Sequence, residues 1–176
     1  SSVITTTGFS STDFDLWPAF SKTILVMLMF MGASAGSTAG GIKCIRFVLL
    51  FKTIKQEIGK IIHPRSVYTV KYGGKTVDSG ILSGIMSYFF VYAVVFSGAL
   101  LIISLDRFDP VTNFTAVTAA MNNIGPGFGI VGPMGSFADF SDISKIVLSF
   151  SMLFGRLEIY PMLVLFTPMF WKRVNI

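Results

Sequence analysis

Cysteine and histidine are almost absent from this sequence of 176 residues, with Cys44 and His63 each the only one of its kind. One thiol excludes an intrachain disulfide, and one Cys with one His cannot furnish an ordinary zinc-type site. Charge is scarce too, at 13% of residues, and acids are the scarcer sign, with nine Asp and Glu against fourteen Lys and Arg. A soluble domain of this length would carry roughly twice that charged fraction. The first residues lack the basic stretch followed by an apolar run that marks a signal peptide, and there is no initiator Met. The chain therefore reads as a fragment that begins inside a structural element. Its remaining composition is 52% apolar with 18 Phe, and such a chain belongs in a lipid bilayer.

Residues 81–105 run 25 positions without a charge. That exceeds the roughly 20 residues a helix needs to cross ~30 Å of hydrocarbon. The net charge of +5 could suggest nucleic acid, but the positions of the charges say otherwise. Lys43, Arg46, Lys52, Lys55, Lys60, Arg65, Lys71 and Lys75 occupy one connection against the single acid Glu57, and Lys172 and Arg173 follow the last apolar run. Basic clusters flanking apolar spans are topology signals that mark the cytoplasmic side. Asp13, Asp15, Asp106, Asp109, Asp139 and Asp142 fall in the complementary connections, which are placed outside. No nucleic-acid partner is expected.

One unit occurs twice. Thr5-Thr-Thr-Gly8-Phe9 and Ile124-Gly-Pro-Gly127-Phe128 each lead into an acidic segment, a lysine and an apolar run, and residues 22–32 align without a gap on residues 145–155. Such self-similarity marks a repeat architecture. The predicted fold is all-α, built from units of helix, re-entrant half-helix, turn and helix. Residues 1–51 form the end of one unit, 52–77 a basic cytoplasmic linker, and 78–176 a complete unit. In the first, the apolar run starting at Lys22 fails at residues 32–41, where four glycines sit among small and hydroxyl residues. Each glycine costs a helix about 1 kcal/mol relative to Ala, so the helix is expected to break there. Broken backbone at membrane depth survives only inside protein or along a watery cavity. In the complete unit, residues 110–122 are apolar but reach only about 18 Å as a helix, hence re-entrant.

The two turns are the candidate site. A short helix aimed into the membrane presents free carbonyls and the negative end of its dipole to a cation. Gly8, Gly125, Gly127 and Gly129 could adopt backbone conformations closed to other residues, turning successive carbonyls toward one axis, with Pro126 stiffening the path. Ordinary external loops are the plainer alternative, which the repetition opposes. Arg156 lies mid-way along the last apolar run, where an arginine costs ~3 kcal/mol and needs a partner. Glu158 points to another helix face, leaving either the free carbonyls of the 32–41 segment or a structural ion pair with another helix. Three pattern matches are set aside. Gly32-Ala-Ser34-Ala-Gly36 fits a serine-hydrolase elbow, but its flanks are membrane helix and the one histidine is in the linker. Gly36 to Lys43 fails the phosphate-loop spacing. Asn113-Phe-Thr115 is a glycosylation sequon inside the half-helix.

Together, Thr5-Thr-Thr-Gly8-Phe9, Gly32-Ala-Ser-Ala-Gly-Ser-Thr-Ala-Gly-Gly-Ile-Lys43, Asn122-Asn-Ile-Gly-Pro-Gly127-Phe128 and Gly155-Arg-Leu-Glu-Ile-Tyr-Pro161 resemble the membrane subunit of the Trk/Ktr/HKT superfamily of potassium transporters, nearest its Trk branch. The resemblance implies four repeats around one pore, of which this chain supplies the end of the third and all of the fourth. It implies potassium uptake, passive or weakly coupled by symport, and no enzyme activity and no cofactor. Thr6, Thr7, Gly8, Phe9, Ile124, Gly125, Pro126 and Gly127 would form selectivity-filter strands, with the ion at Thr7, Gly8, Gly125 and Gly127. Gly32, Ala33, Ser34, Ala35, Gly36, Ser37, Thr38, Ala39, Gly40 and Gly41 would form an intramembrane gate met by Arg156. It further implies a homodimer in the bacterial inner membrane and a cytosolic nucleotide-binding regulatory subunit. Ala33, Phe128 and Tyr160 depart from the family's usual Gly, Leu and Phe. The alternative is a secondary transporter that binds a solute anion at the ends of broken helices.

Overall fold

The computed structural model describes residues 2–32, 40–63, 69–157 and 159–166. Helix α1 spans Ala19–Phe30, α2 Cys44–Ile62, α3 Ser79–Ile103, α4 Pro110–Met121, α5 Asp142–Leu157 and α6 Ile159–Phe166. A two-stranded hairpin, β1 (Lys71–Tyr72) and β2 (Lys75–Thr76), turns at Gly73-Gly74 between α2 and α3, pairing Lys71 with Thr76 and Tyr72 with Lys75. The described residues are mostly helical with almost no strand, as expected of an all-α membrane protein.

Helix α3 is the long span. Asp78 caps it by accepting from the Gly80 N–H at 3.1 Å, and Ser79–Asp106 has the length and apolarity to cross a membrane. Phe90 and Leu101, more than 70% exposed, point away from the rest of the chain, while Tyr88, Tyr92, Ala99 and Ile103 turn inward. A one-sided apolar surface of this size is what lipid or another helix covers. A Cβ at Gly84 would enter open space.

The core is built around α4. Asp109 caps it by accepting from Val111 N–H at 3.0 Å, and Pro110 sits at its first position, where a missing N–H costs nothing. Ala116, Val117, Ala119, Ala120 and Met121 are fully buried, so apolar side chains surround the helix on every side. Its buried threonines satisfy themselves: Thr115 donates to Val111 O at 2.8 Å and Thr118 to Phe114 O at 2.7 Å. Helix α3 covers it with Tyr92 and Ile103, α5 with Leu148, and α1 with Phe30, whose ring lies 6.2 Å from that of Phe114. The half-helix expected over residues 110–122 is therefore present, and it is the most enclosed element of the fold.

One expectation needs extending. The segment from Lys52, expected as a basic linker, begins as helix, because α2 continues to Ile62. Leu49 and Thr53, four positions apart, are buried on its inner side, and the Glu57–Lys60 pair, at 2.6 Å, lies further along toward its exposed end. An amphipathic helix needs no uninterrupted apolar run.

Candidate functional site

The second turn grows directly from the end of α4. Asn122 N–H donates to Thr118 O, Asn123 N–H to Ala120 O and Ile124 N–H to Ala119 O, all at 3.0–3.1 Å. The carbonyls expected to stay free at the tip of the half-helix are thus mostly taken by the turn itself. Asn123 (φ 53°) and Gly125 (φ 106°) lie in the left-handed region with Ile124 between them in the ordinary one. The first turn shows the same alternation: Thr6 (φ 53°) and Gly8 (φ 78°) flank Thr7. Thr6 aligns with Gly125 in the repeat and shares its left-handed backbone, whereas Gly8 aligns with Gly127, which has no positive φ. The first turn is closed locally by Thr7 N–H to Ser2 O at 3.0 Å and by a 2.8 Å bond between the Thr5 and Thr7 hydroxyls.

The N–H groups that follow Pro126 are all tied outward. Gly127 N–H donates to Val131 O at 2.7 Å, Phe128 N–H to Thr115 Oγ1 at 3.0 Å, and Gly129 N–H to Asp15 Oδ2 at 3.1 Å. Among the described residues no hydrogen bond ends on the carbonyls of Thr6, Thr7, Gly8, Gly125, Pro126 or Gly127. Donors held back and acceptors left over are the arrangement a cation site requires.

The two turns touch. A Cβ on Gly8 would fall on the Ile124 carbonyl oxygen and lie 3.4 Å from Pro126 Cδ. Only glycine permits that approach with a positive φ. Gly127, expected to need an unusual backbone, is absent from the positive-φ positions. Its constraint is space, since a Cβ there would lie 2.8 Å from Val131 Cγ2 and 3.0 Å from Thr115 Oγ1. Ile124 and Phe128 are buried, the latter with its ring edge-on to Phe14 at 5.3 Å, whereas Phe9 is 83% exposed.

Of the expected gate, Gly32, Gly40 and Gly41 are described, and Ala33, Ser34, Ala35, Gly36, Ser37, Thr38 and Ala39 lie outside the described residues. The two ends of the segment are pinned together. Gly32 N–H donates to Ile42 O at 3.0 Å, the Cys44 thiol to Gly32 O at 2.8 Å, and Met31 and Ile42 form an isolated parallel bridge. The closed neck sits under the second turn: a Cβ on Gly40 would lie 2.8 Å from Asn122 O, and one on Gly41 (φ 80°) 2.8 Å from Asn122 Oδ1. Asn122 is fully buried, accepting from the Tyr92 hydroxyl at 3.3 Å and donating to Thr118 O at 2.9 Å. Gly155 packs its α-carbon against the Met121 carbonyl, and Asn123 Nδ2 reaches across to Met152 O at 3.0 Å. Arg156, next in α5, is exposed. Its expected meeting with the glycine-rich segment concerns residues outside those described.

Sequence reasoning missed Thr115, Asn122 as a link to Tyr92, and Asp15 as an acceptor for Gly129. A buried threonine on the half-helix is the one local signal that could have found the first.

A long apolar span, a buried half-helix too short to cross and a left-handed turn at its tip are the features of a helical membrane protein. The comparisons identify the branch. The family described as TrkH, cation transport protein, matches residues 1–173, and the chain belongs to that family, whose members are transporters rather than enzymes. It is 41% identical over 171 residues to the Trk system potassium uptake protein TrkH of Salmonella typhimurium, covering 97% of this chain and 35% of that protein. It is 38% identical over 172 residues to TrkG of Escherichia coli, covering 98% and 35%. The crystal structure of the potassium transporter TrkH from Vibrio parahaemolyticus superposes with a TM-score of 0.83 at 42% identity, over 96% of this chain and 36% of that one. The chain thus spans about a third of the length of the relatives it matches.

Proposed function

We propose that this chain contributes the last part of a potassium-uptake pathway, with its two turns as two strands of a selectivity filter. The observation that carries the reading is the approach of Gly8 to the Ile124 carbonyl, which sets the two turns side by side. Carbonyls of Thr7, Gly8, Gly125 and Gly127 replace the ion's water, and Thr6, Phe9, Ile124 and Pro126 complete the strands. The C-terminal end of α4, its dipole aimed at the turn, favours a cation there. Residues 32–41, tied off at the Gly32–Ile42 neck beneath Asn122, act as the gate, with Arg156 contributing charge near it.

Residues 1–51 end the third of four repeats and 78–176 make the fourth. The acid-bearing connections gather at one end, where Ser141 N–H donates to Asp106 Oδ2 at 3.1 Å and the Phe108 and Phe140 rings meet edge-on at 4.8 Å. That end faces outward, and the basic segment 52–77 and the C-terminus face the cytoplasm. The working protein is a homodimer in the inner membrane, regulated from the cytosol by a nucleotide-binding subunit.

The test is ion flux by the full-length protein in liposomes, with potassium and sodium exchanged and the proton gradient collapsed. Gly127→Ser must displace Thr115 or Val131, and so should relax selectivity for potassium. An unchanged permeability ratio would refute the filter assignment.

A further inference from the structure

The outer end of the second turn is held by a residue from the other unit. Asp15 stands 114 positions from Gly129 and accepts its N–H through Oδ2 at 3.1 Å, while Oδ1 accepts from Lys22 Nζ at 3.0 Å. The carboxylate is itself set in place, because Asp13 Oδ1 accepts from the Asp15 N–H at 3.0 Å and caps the short helical turn Phe14–Leu16. Both neighbours grip the same spot. Phe14 packs edge-on against Phe128, and the Lys22 ammonium lies 5.7 Å from the centre of that ring. Asp15 and Lys22 are each about one-third exposed, so as a bare ion pair they would contribute little. The bond to Gly129 is a different matter, since a carboxylate accepting a backbone N–H is among the stronger hydrogen bonds.

We propose that Asp15 is a positioning residue for ion selection, anchoring the Gly129 end of the second turn to the first unit so that the spacing between the two turns is fixed, with Lys22 aiming the carboxylate. The inference rests on the filter reading above and adds to it the part that sets the filter's width. Gly127, Phe128 and Gly129 have their N–H groups held by Val131, Thr115 and Asp15 in turn. The first two holders belong to the same unit as the turn. Asp15 is the one that links it to the partner unit, and releasing it lets the turn move as a body relative to Gly8.

The test uses full-length protein in liposomes, reading the potassium-to-sodium permeability ratio beside thermal stability in detergent. Asp15→Ala should lower the ratio by about tenfold, the equivalent of one charge-assisted hydrogen bond. Asp15→Asn keeps an acceptor for Gly129 and should recover most of the ratio. The exchange of Asp15→Lys with Lys22→Asp restores the opposite charges but turns an ammonium toward an N–H, and the ratio should stay low. Recovery by the exchange would mean an ion pair and no anchor, overturning the proposal. So would an unchanged ratio in Asp15→Ala when Gly127→Ser, measured alongside, still alters it. If neither variant moves the ratio, the filter reading itself fails and the anchor falls with it.

Discussion

Replacing Thr115 with Val isolates one hydrogen bond at the base of the second turn. The side chains have nearly the same shape, and Thr115 is 1% exposed, so the change amounts to exchanging a buried hydroxyl for a methyl. The hydroxyl's donation is lost, shortest to Val111 O at 2.8 Å with Thr112 O at 3.3 Å and Phe128 O at 3.5 Å also in reach, and so is its acceptance from Phe128 N–H at 3.0 Å. The first is cheap, because a helix carbonyl keeps its backbone partner. The second leaves the N–H of a residue that is itself 1% exposed with no acceptor, a cost of about 1–3 kcal/mol. That is roughly a fivefold to 150-fold shift in the folded-to-unfolded ratio. The assay is unfolding of the full-length protein from mixed micelles with increasing sodium dodecyl sulfate, followed by tryptophan fluorescence. Ser149→Ala is the control, since its hydroxyl makes the same kind of bond, to Lys145 O at 2.8 Å, on an exposed face. Its effect should stay within about 0.5 kcal/mol. If Thr115→Val proves no more disruptive than Ser149→Ala, the Phe128 N–H does not depend on the half-helix and the account of how this turn is held is wrong.

Further expectations follow from the same geometry. Tyr92→Phe removes the donor to Asn122 Oδ1 and should cost about 1 kcal/mol in the same unfolding assay. Gly155→Val drives a side chain onto the Met121 carbonyl, backbone that cannot step aside, and should lose more stability than Thr115→Val; Gly98→Ala, which enters open space, should change it by under about 1 kcal/mol. Deleting residues 35–39 from the full-length protein should raise potassium flux in liposomes, and flux at or below the parent level would remove the gate role.

The elements legible in the sequence were those set by local pattern. A charge-free run of 25 residues announced α3, and a dozen apolar residues between Asp109-Pro110 and a glycine-rich turn announced α4 almost to the residue. The continuation of α2 to Ile62 was hidden because a stretch holding Lys52, Lys55 and Lys60 has no uninterrupted apolar run, and the helix shows only in the i, i+4 spacing of its buried Leu49 and Thr53. The two turns were visible as a repeat, but not what holds them. Thr115 to Phe128, Tyr92 to Asn122 and Asp15 to Gly129 are separated by 13, 30 and 114 positions. Partners at such distances meet only once helices have packed. Gly127 shows the limit of composition: the glycine was noticed, yet its reason is the neighbouring Thr115 and Val131 side chains rather than its backbone angle.

The most direct test of a shared cation site between the turns is anomalous scattering from crystals of the full-length protein grown in thallium or rubidium. The account predicts a peak at coordination distance from the carbonyls of Gly8 and Gly125. Heavy-ion density confined to other places, with none between these two turns, would contradict it.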